Sequence, residues 1–236
     1  MTRGGAFAAL TVGTFVFVGL GWHGAAVLFS FFLPAIALSR AGRARKRTLR
    51  DVGKHGARDG VQVLANGGIA AFCALLALGH AVPFGPAFAG AFAAAAADTW
   101  GTEIGTLARM RPRSIFNFRP METGLSGGVT WLGTISEFGG AAVVAAAASL
   151  TGIAAFVPVL IGGFAGALAD SALGATLQEL RYCATCSRQC ETNPHDCGAA
   201  TMLVRGARGM SNDAVNALST LTGGAVSAGL ALALLR

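Results

Sequence analysis

The sequence predicts an all-α fold: a polytopic transmembrane helical bundle of about seven spans, with two weakly related Asp-bearing halves. Three observations predict it. Of the 236 residues, 53% are hydrophobic and only 12% charged, and the mean hydropathy is +0.59. A soluble domain carries roughly 25% charged residues, so a soluble Ala-rich helical protein, the alternative, would lack the polar surface to face water. Several apolar runs approach the ~20 residues that cross a bilayer. Finally, the basic residues collect in three loops, which the positive-inside rule explains before any nucleic acid does, despite a net charge of +7. No nucleic-acid partner is expected.

The whole chain, 1–236, reads as a single integral membrane domain. Residues 6–21 and 24–39 form the first two spans, with Gly19, Gly21 and Gly24 marking a tight turn around Trp22-His23. The first stretch has no clear cleavage site and reads as a retained anchor. A basic run from Arg40 to Arg58 follows, topological in its simplest reading and also able to attract anionic headgroups or a phosphorylated substrate. The third span is 60–79, where Gln62 and Asn66 share a face. Either a binding site or interhelical hydrogen bonding accounts for that pair.

The fourth span, 84–108, is apolar enough to cross a membrane yet carries Asp98 and Glu103. A charge at the centre of a span costs roughly 2.5–3.5 kcal/mol on insertion scales, so such residues generally face a polar cavity and have a task. A second basic loop, with Arg109, Arg111, Arg113 and Arg119, leads to the glycine-rich run Thr123-Gly124-Leu125-Ser126-Gly127-Gly128. Glycine backbone can approach phosphate oxygens closely; a helix-packing glycine run is the plainer reading. The fifth span is 127–150, with Glu137 near its middle facing the interior. The sixth is 153–180, with Asp170, where Ala169-Asp170-Ser171 echoes Ala97-Asp98-Thr99. The last is 213–235. Ser211 or Asn212 can cap it and Asp213 suits its first turn, whereas Asn216 lies beyond the reach of capping.

Seven spans place the N-terminus and the three Arg-rich loops in the cytosol and the C-terminus on the opposite side, because the alternate turns carry no Lys or Arg. The Cys-rich segment 181–211 is then cytosolic and reducing, which disfavours disulfides. Its Cys183, Cys186, His195 and Cys197 suit tetrahedral zinc, with Cys190 as the competing fourth ligand. Two disulfides would become the better reading in an inverted topology, and free thiols are the third.

Asp98, Glu103 and Asp170 offer oxygen ligands of the kind magnesium takes. Asn66, Gly124, Ser126, Gly127, Gly128, Arg119, Gln178, Asn212, Asp213 and Asn216 are candidates for holding phosphate or nucleotide. Magnesium, arginine and glycine-rich backbone are the equipment of phosphoryl transfer. Composition and spacing alone do not separate such an enzyme from a carboxylate-gated transporter.

Six blocks in chain order carry a resemblance. They are Gln62 through Gly67; Ala97-Asp98-Thr99-Trp100 with Glu103-Ile104-Gly105; Gly124 through Val129; Asp170-Ser171 with Gly174 through Gln178; Cys183-x-x-Cys186 with His195-x-Cys197-Gly198; and Asn212-Asp213-x-Val215-Asn216. The chain resembles, over nearly its whole length, the integral membrane family called domain of unknown function 92, which includes a phytyl-phosphate kinase. Ser126 departs from the family's Asn, which leaves the backbone there as the expected contact.

The resemblance implies a kinase that converts an isoprenoid monophosphate to its diphosphate with a nucleoside triphosphate, CTP before ATP. Asp98, Glu103 and Asp170 would hold magnesium. Gly127-Gly128 and nearby arginines would hold phosphates. Asn212, Asp213 and Asn216 would complete the nucleotide or metal site. A lipid-phosphate cytidylyltransferase and a transporter are the alternatives. Small-residue helix faces would permit a homodimer.

Overall fold

The computed structural model describes residues 1–41, 57–108 and 110–236. Arg43, Arg45, Lys46, Arg47, Arg50, Lys54 and Arg109 of the basic loops lie outside them. The helical segments are α1 (Arg3–Ala41), α2 (Gly60–Leu76), α3 (Ala81–Gly105), α4 (Trp131–Leu150), α5 (Phe156–Thr176) and α6 (Asn212–Ala233). Four of these, α1 over Arg3–Arg40, α4, α5 and α6, are long and apolar enough to cross a membrane; α2 is a shorter apolar helix.

The axis of the bundle is α3. From Gly85 to Ala97 every residue is buried, and α1, α2, α4, α5 and α6 all pack on it. A helix that is apolar all round has no face for water and belongs inside. Its run of Ala and Gly lets the neighbours come close. Large side chains on the outside, including Phe7, Trp22, Phe72, Trp131, Ile135 and Leu150, remain exposed, an apolar outer surface that fits lipid rather than water.

The first segment breaks at Gly21, whose φ of 56° and ψ of −144° take the chain out of the helix. A Cβ on Gly24 would lie 3.1 Å from Cγ1 of Val16. Eight residues along a straight helix span about 12 Å, so the chain doubles back here, at the turn that the glycines predict. Val12 and Val16 of one arm and Val27 and Phe31 of the other share a core with Phe88 and Phe92 of α3. The Phe31 and Phe92 rings stack at 5.6 Å.

Buried hydroxyls tie α6 into the bundle. Ser219 Oγ donates to Gly166 O at 2.9 Å, Ser227 Oγ to Pro158 O at 3.0 Å and Thr220 Oγ1 to Ala65 O at 3.2 Å. Such bonds contribute about 0.6–2 kcal/mol each between membrane helices.

The expectation of an all-α chain needs correction. Among the described residues, five short strands stand outside the helices: β1 (Arg113–Ser114), β2 (Gly128–Val129), β3 (Leu180–Cys183), β4 (Arg188–Cys190) and β5 (Met202–Arg205). The first two pair antiparallel; the others form a sheet in the order β4-β3-β5. Accordingly, the stretch 127–130 does not belong to a span. Gly127 has φ +84°, which no helix accommodates, and Thr130 caps α4 by accepting from the Gly133 N–H at 3.0 Å. Likewise α5 ends at Thr176, and Leu180 belongs to the sheet.

Candidate functional site

At one end of the bundle the helices enclose a cavity of about 910 Å³. The first turns of three helices meet there. Arg58 and Gln62 come from the start of α2, Thr130 and Gly133 from the start of α4, and Ser211, Asn212, Asp213 and Asn216 from the start of α6. Each start is capped locally. Asp59 and Gln62 form a reciprocal capping box on α2, and Ser211 Oγ accepts from the Ala214 N–H on α6. Helix N-termini present unpaired N–H groups and a partial positive charge, the arrangement that receives phosphate.

The carboxylates arrive from the opposite helix ends. Asp98 and Glu103 lie in the last turns of α3 and Asp170 near the end of α5, and all three line the cavity. Helix C-termini favour cations. Glu103 Oε1 accepts from Ser39 Oγ at 3.2 Å. The cavity also has an apolar wall, made by Val12, Leu28, Phe29, Phe31 and Phe32 of both α1 arms and Phe92 of α3.

Of the residues singled out in the sequence, Asn66, Asp98, Glu103, Gly124, Ser126, Gly127, Gly128, Asp170, Asn212, Asp213 and Asn216 line this one cavity. Two do not. Arg119 is exposed and lies outside the cavity wall; among the described residues Arg58 is the arginine that lines it, and burial pushes its guanidinium below the ordinary value. Gln178 is 2% exposed and lies behind the glycine-rich turn.

There Gln178 Nε2 donates to Ser126 Oγ at 2.8 Å and to Glu191 Oε2 at 2.7 Å. Glu191 Oε1 accepts from the Ser126 N–H at 2.7 Å and its Oε2 from Ser126 Oγ at 2.9 Å. Ser126 therefore has a side-chain task, where the sequence pointed to its backbone alone. Desolvation raises the Glu191 carboxyl above its ordinary value against these hydrogen bonds, which lower it. Glu191 carries no recognisable signal in the sequence, because its partner Ser126 is 65 residues away. Glu137 also lines the cavity; a charge midway through an apolar run was its signal.

Next to Glu191 lies the cysteine cluster. The ligand atoms of Cys183, Cys186, His195 and Cys197 all fall within 4.8 Å of one another. Cys183 Sγ is 3.7 Å from Cys197 Sγ, and His195 Nδ1 is 3.2 Å from the latter. No disulfide is formed. Cys190 stands apart, with its Sγ directed at Thr192 O. Two thiolates from a β-hairpin with a thiolate and an imidazole from the following turn make a donor set that fits tetrahedral zinc.

Fold and cavity together define a helical membrane protein with a chamber at one end that joins an apolar wall to buried carboxylates. The chain belongs to the integral membrane protein family DUF92, whose model matches residues 1–224. It is 30% identical to Protein PGR of Arabidopsis thaliana over 195 residues, covering 69% of this chain and 67% of that protein. It is 34% identical to an uncharacterized membrane protein of Methanocaldococcus jannaschii, covering 64% of each. A membrane protein of Synechocystis sp. is 26% identical over 72% of this chain and 69% of its own. The names of these relatives state no reaction. No solved structure matches the chain.

Proposed function

We propose that this protein is a membrane-embedded, magnesium-dependent phosphotransferase. It converts an isoprenoid monophosphate of the phytyl or geranylgeranyl type to the diphosphate, with a nucleoside triphosphate, CTP before ATP, as donor. One observation carries the reading: a single cavity joins an apolar wall, an acidic floor and three helix N-termini beside a glycine-rich turn. An apolar tail with a phosphate head, meeting a second phosphate chain, matches that division.

In this reading an oxygen of the acceptor phosphate attacks the terminal phosphorus of the triphosphate. The bond from that phosphorus to the bridging oxygen breaks, and the nucleoside diphosphate leaves with the electron pair. The acceptor is already ionised, so no strong general base is needed. Catalysis then rests on alignment and on neutralising charge. The N–H groups at the starts of α2, α4 and α6, the Gly127-Gly128 backbone and Arg58 hold phosphate oxygens. Asn66, Asn212, Asp213 and Asn216 orient the nucleotide.

Asp98, Glu103 and Asp170 would hold magnesium, and Asp170 Oδ2, buried with no hydrogen-bond partner among the described residues, fits that need. Bound there, magnesium supplies charge neutralisation on the transferring phosphoryl group. Zinc on Cys183, Cys186, His195 and Cys197 is structural, since four protein ligands leave no open position. We read α1 as two spans, giving seven in all, with the cavity end in the cytosol where nucleotides are available.

The test is product mass spectrometry. Detergent-purified protein is incubated with magnesium, CTP or ATP, and a panel of phytyl, geranylgeranyl, farnesyl and undecaprenyl monophosphates. A prenyl diphosphate with matching nucleoside diphosphate is expected. A CMP-lipid with released pyrophosphate would make the protein a cytidylyltransferase. No product from any pair, with nucleotide binding also absent, would turn the reading to a transporter.

A further inference from the structure

We infer that Glu137 is a cation-holding carboxylate, which with Asp98 and Asp170 forms a site for a hard divalent cation of the magnesium class on the cavity floor. The inference deepens the phosphotransferase reading and rests on it for the cation's use, though not for its binding.

Glu137 projects from the buried face of α4 and is 8% exposed. It lines the cavity, yet it makes no hydrogen bond or ion pair with the described residues, and its Oε2 is fully enclosed. Its neighbour Ser136 behaves as a packed polar residue does, donating to Leu132 O at 2.6 Å. Glu137 has no such acceptor, so a carboxylic acid there would leave its proton unused. An ionised carboxylate left unpaired there would be strongly disfavoured. Asp170 Oδ2 is in the same condition. Two buried carboxylate oxygens without partners, on two helices and in one cavity, ask for a cation that the described residues do not supply.

Room has been made for this side chain. A Cβ on Gly101 would fall 2.6 Å from Glu137 Cγ and 2.8 Å from its Oε1, so only glycine at that point of α3 lets the carboxylate sit beside the helix. Asp98 lies one turn away on α3. Glu137, Asp98 and Asp170 line the same cavity from α4, α3 and α5. Glu103 lines the same cavity further along α3, where its Oε1 accepts from Ser39 on α1.

Among the described residues, the cysteine–histidine group alone brings three or more such ligand atoms within reach of one ion directly. Asp98, Glu137 and Asp170 are more widely set. That suits magnesium, which keeps several waters and takes one or two carboxylates together with substrate phosphates.

The test uses the full chain in detergent, without nucleotide or lipid, and follows Mn²⁺ by the electron paramagnetic resonance of the free ion. Glu137→Gln is expected to weaken Mn²⁺ binding by about tenfold or more, while the exposed Glu122→Gln leaves it unchanged. Glu137→Gln binding Mn²⁺ as tightly as the parent would overturn the inference. A second readout needs no variant. Carbodiimide labelling of Glu137 in the parent protein, read by peptide mass spectrometry, is expected to fall when Mg²⁺ is added; equal labelling with and without Mg²⁺ would overturn it too. Absence of lipid product would sink the phosphotransferase reading and leave both of these readouts standing.

Discussion

Asp98 and Asp170 are 72 positions apart in the chain and line one cavity. Each sits about two turns before the C-terminal end of its helix, on the side that faces the cavity. Their local sequences are nearly the same, Ala-Asp-Thr and Ala-Asp-Ser, so small neighbours leave both side chains room. If they hold the magnesium that neutralises the transferring phosphate, Asp98→Asn and Asp170→Asn each remove a charge while keeping the shape. Loss of turnover by at least about a hundredfold is expected, since single electrostatic contacts in such sites contribute that much. Melting temperature in detergent should stay near that of the parent. Full activity in both variants would remove the aspartates from the mechanism.

At the scale of elements, the sheet β3–β5 and the glycine-rich turn before α4 are one unit. Glu191 follows β4 directly and receives three hydrogen-bond donors from Ser126 and Gln178. The same sheet carries Cys183, and the cluster with Cys186, His195 and Cys197 sits at its hairpin and following turn. Whatever braces the cluster therefore steadies the turn. Glu191→Ala leaves those donors without an acceptor, at a cost of about 1–3 kcal/mol for a buried unsatisfied group, and should lower the melting temperature. For the cluster, elemental analysis is expected to find one zinc per chain. Stripping it with a chelator, or Cys183→Ser, should open the 181–211 segment and the 123–130 turn to protease together. Protein purified at neutral pH without zinc, and equally resistant to protease, would rule the metal out.

For the whole molecule the decisive feature is direction. Met1 lines the cavity, and so do the first residues of α6. The 22 residues of α6 then run about 33 Å away from it. The two chain ends thus lie at opposite ends of the bundle. With the basic loops in the cytosol, a fluorescent protein fused at the N-terminus should fold and fluoresce, and alkaline phosphatase fused at the C-terminus should be active outside. A C-terminal fusion that fluoresces and an inactive phosphatase fusion would contradict both the orientation and the odd number of spans.

Much of this was legible in the sequence because the membrane imposes strong, local constraints. Apolar length, the glycine turn at Gly21, and carboxylates within apolar runs are read residue by residue, and they led to the helices and to Asp98, Glu103 and Asp170, while the spacing of Cys183, Cys186, His195 and Cys197 pointed to side chains that do cluster. Span ends were less legible. Residues 127–130 are small or apolar, and Gln178, Glu179 and Leu180 are good helix formers, so both stretches read as continuing a helix; pairing with distant strands and the φ of Gly127 end it instead. Tertiary structure alone decided which polar groups meet. It set Arg119 on the surface and Arg58 in the cavity wall, turned Gln178 toward Ser126, brought Glu191 across 65 residues, and set Glu137 against Gly101. The physical reason is that periodicity and composition fix what one segment must bury, while the partner of a buried polar group is whatever group packing brings within about 3 Å of it.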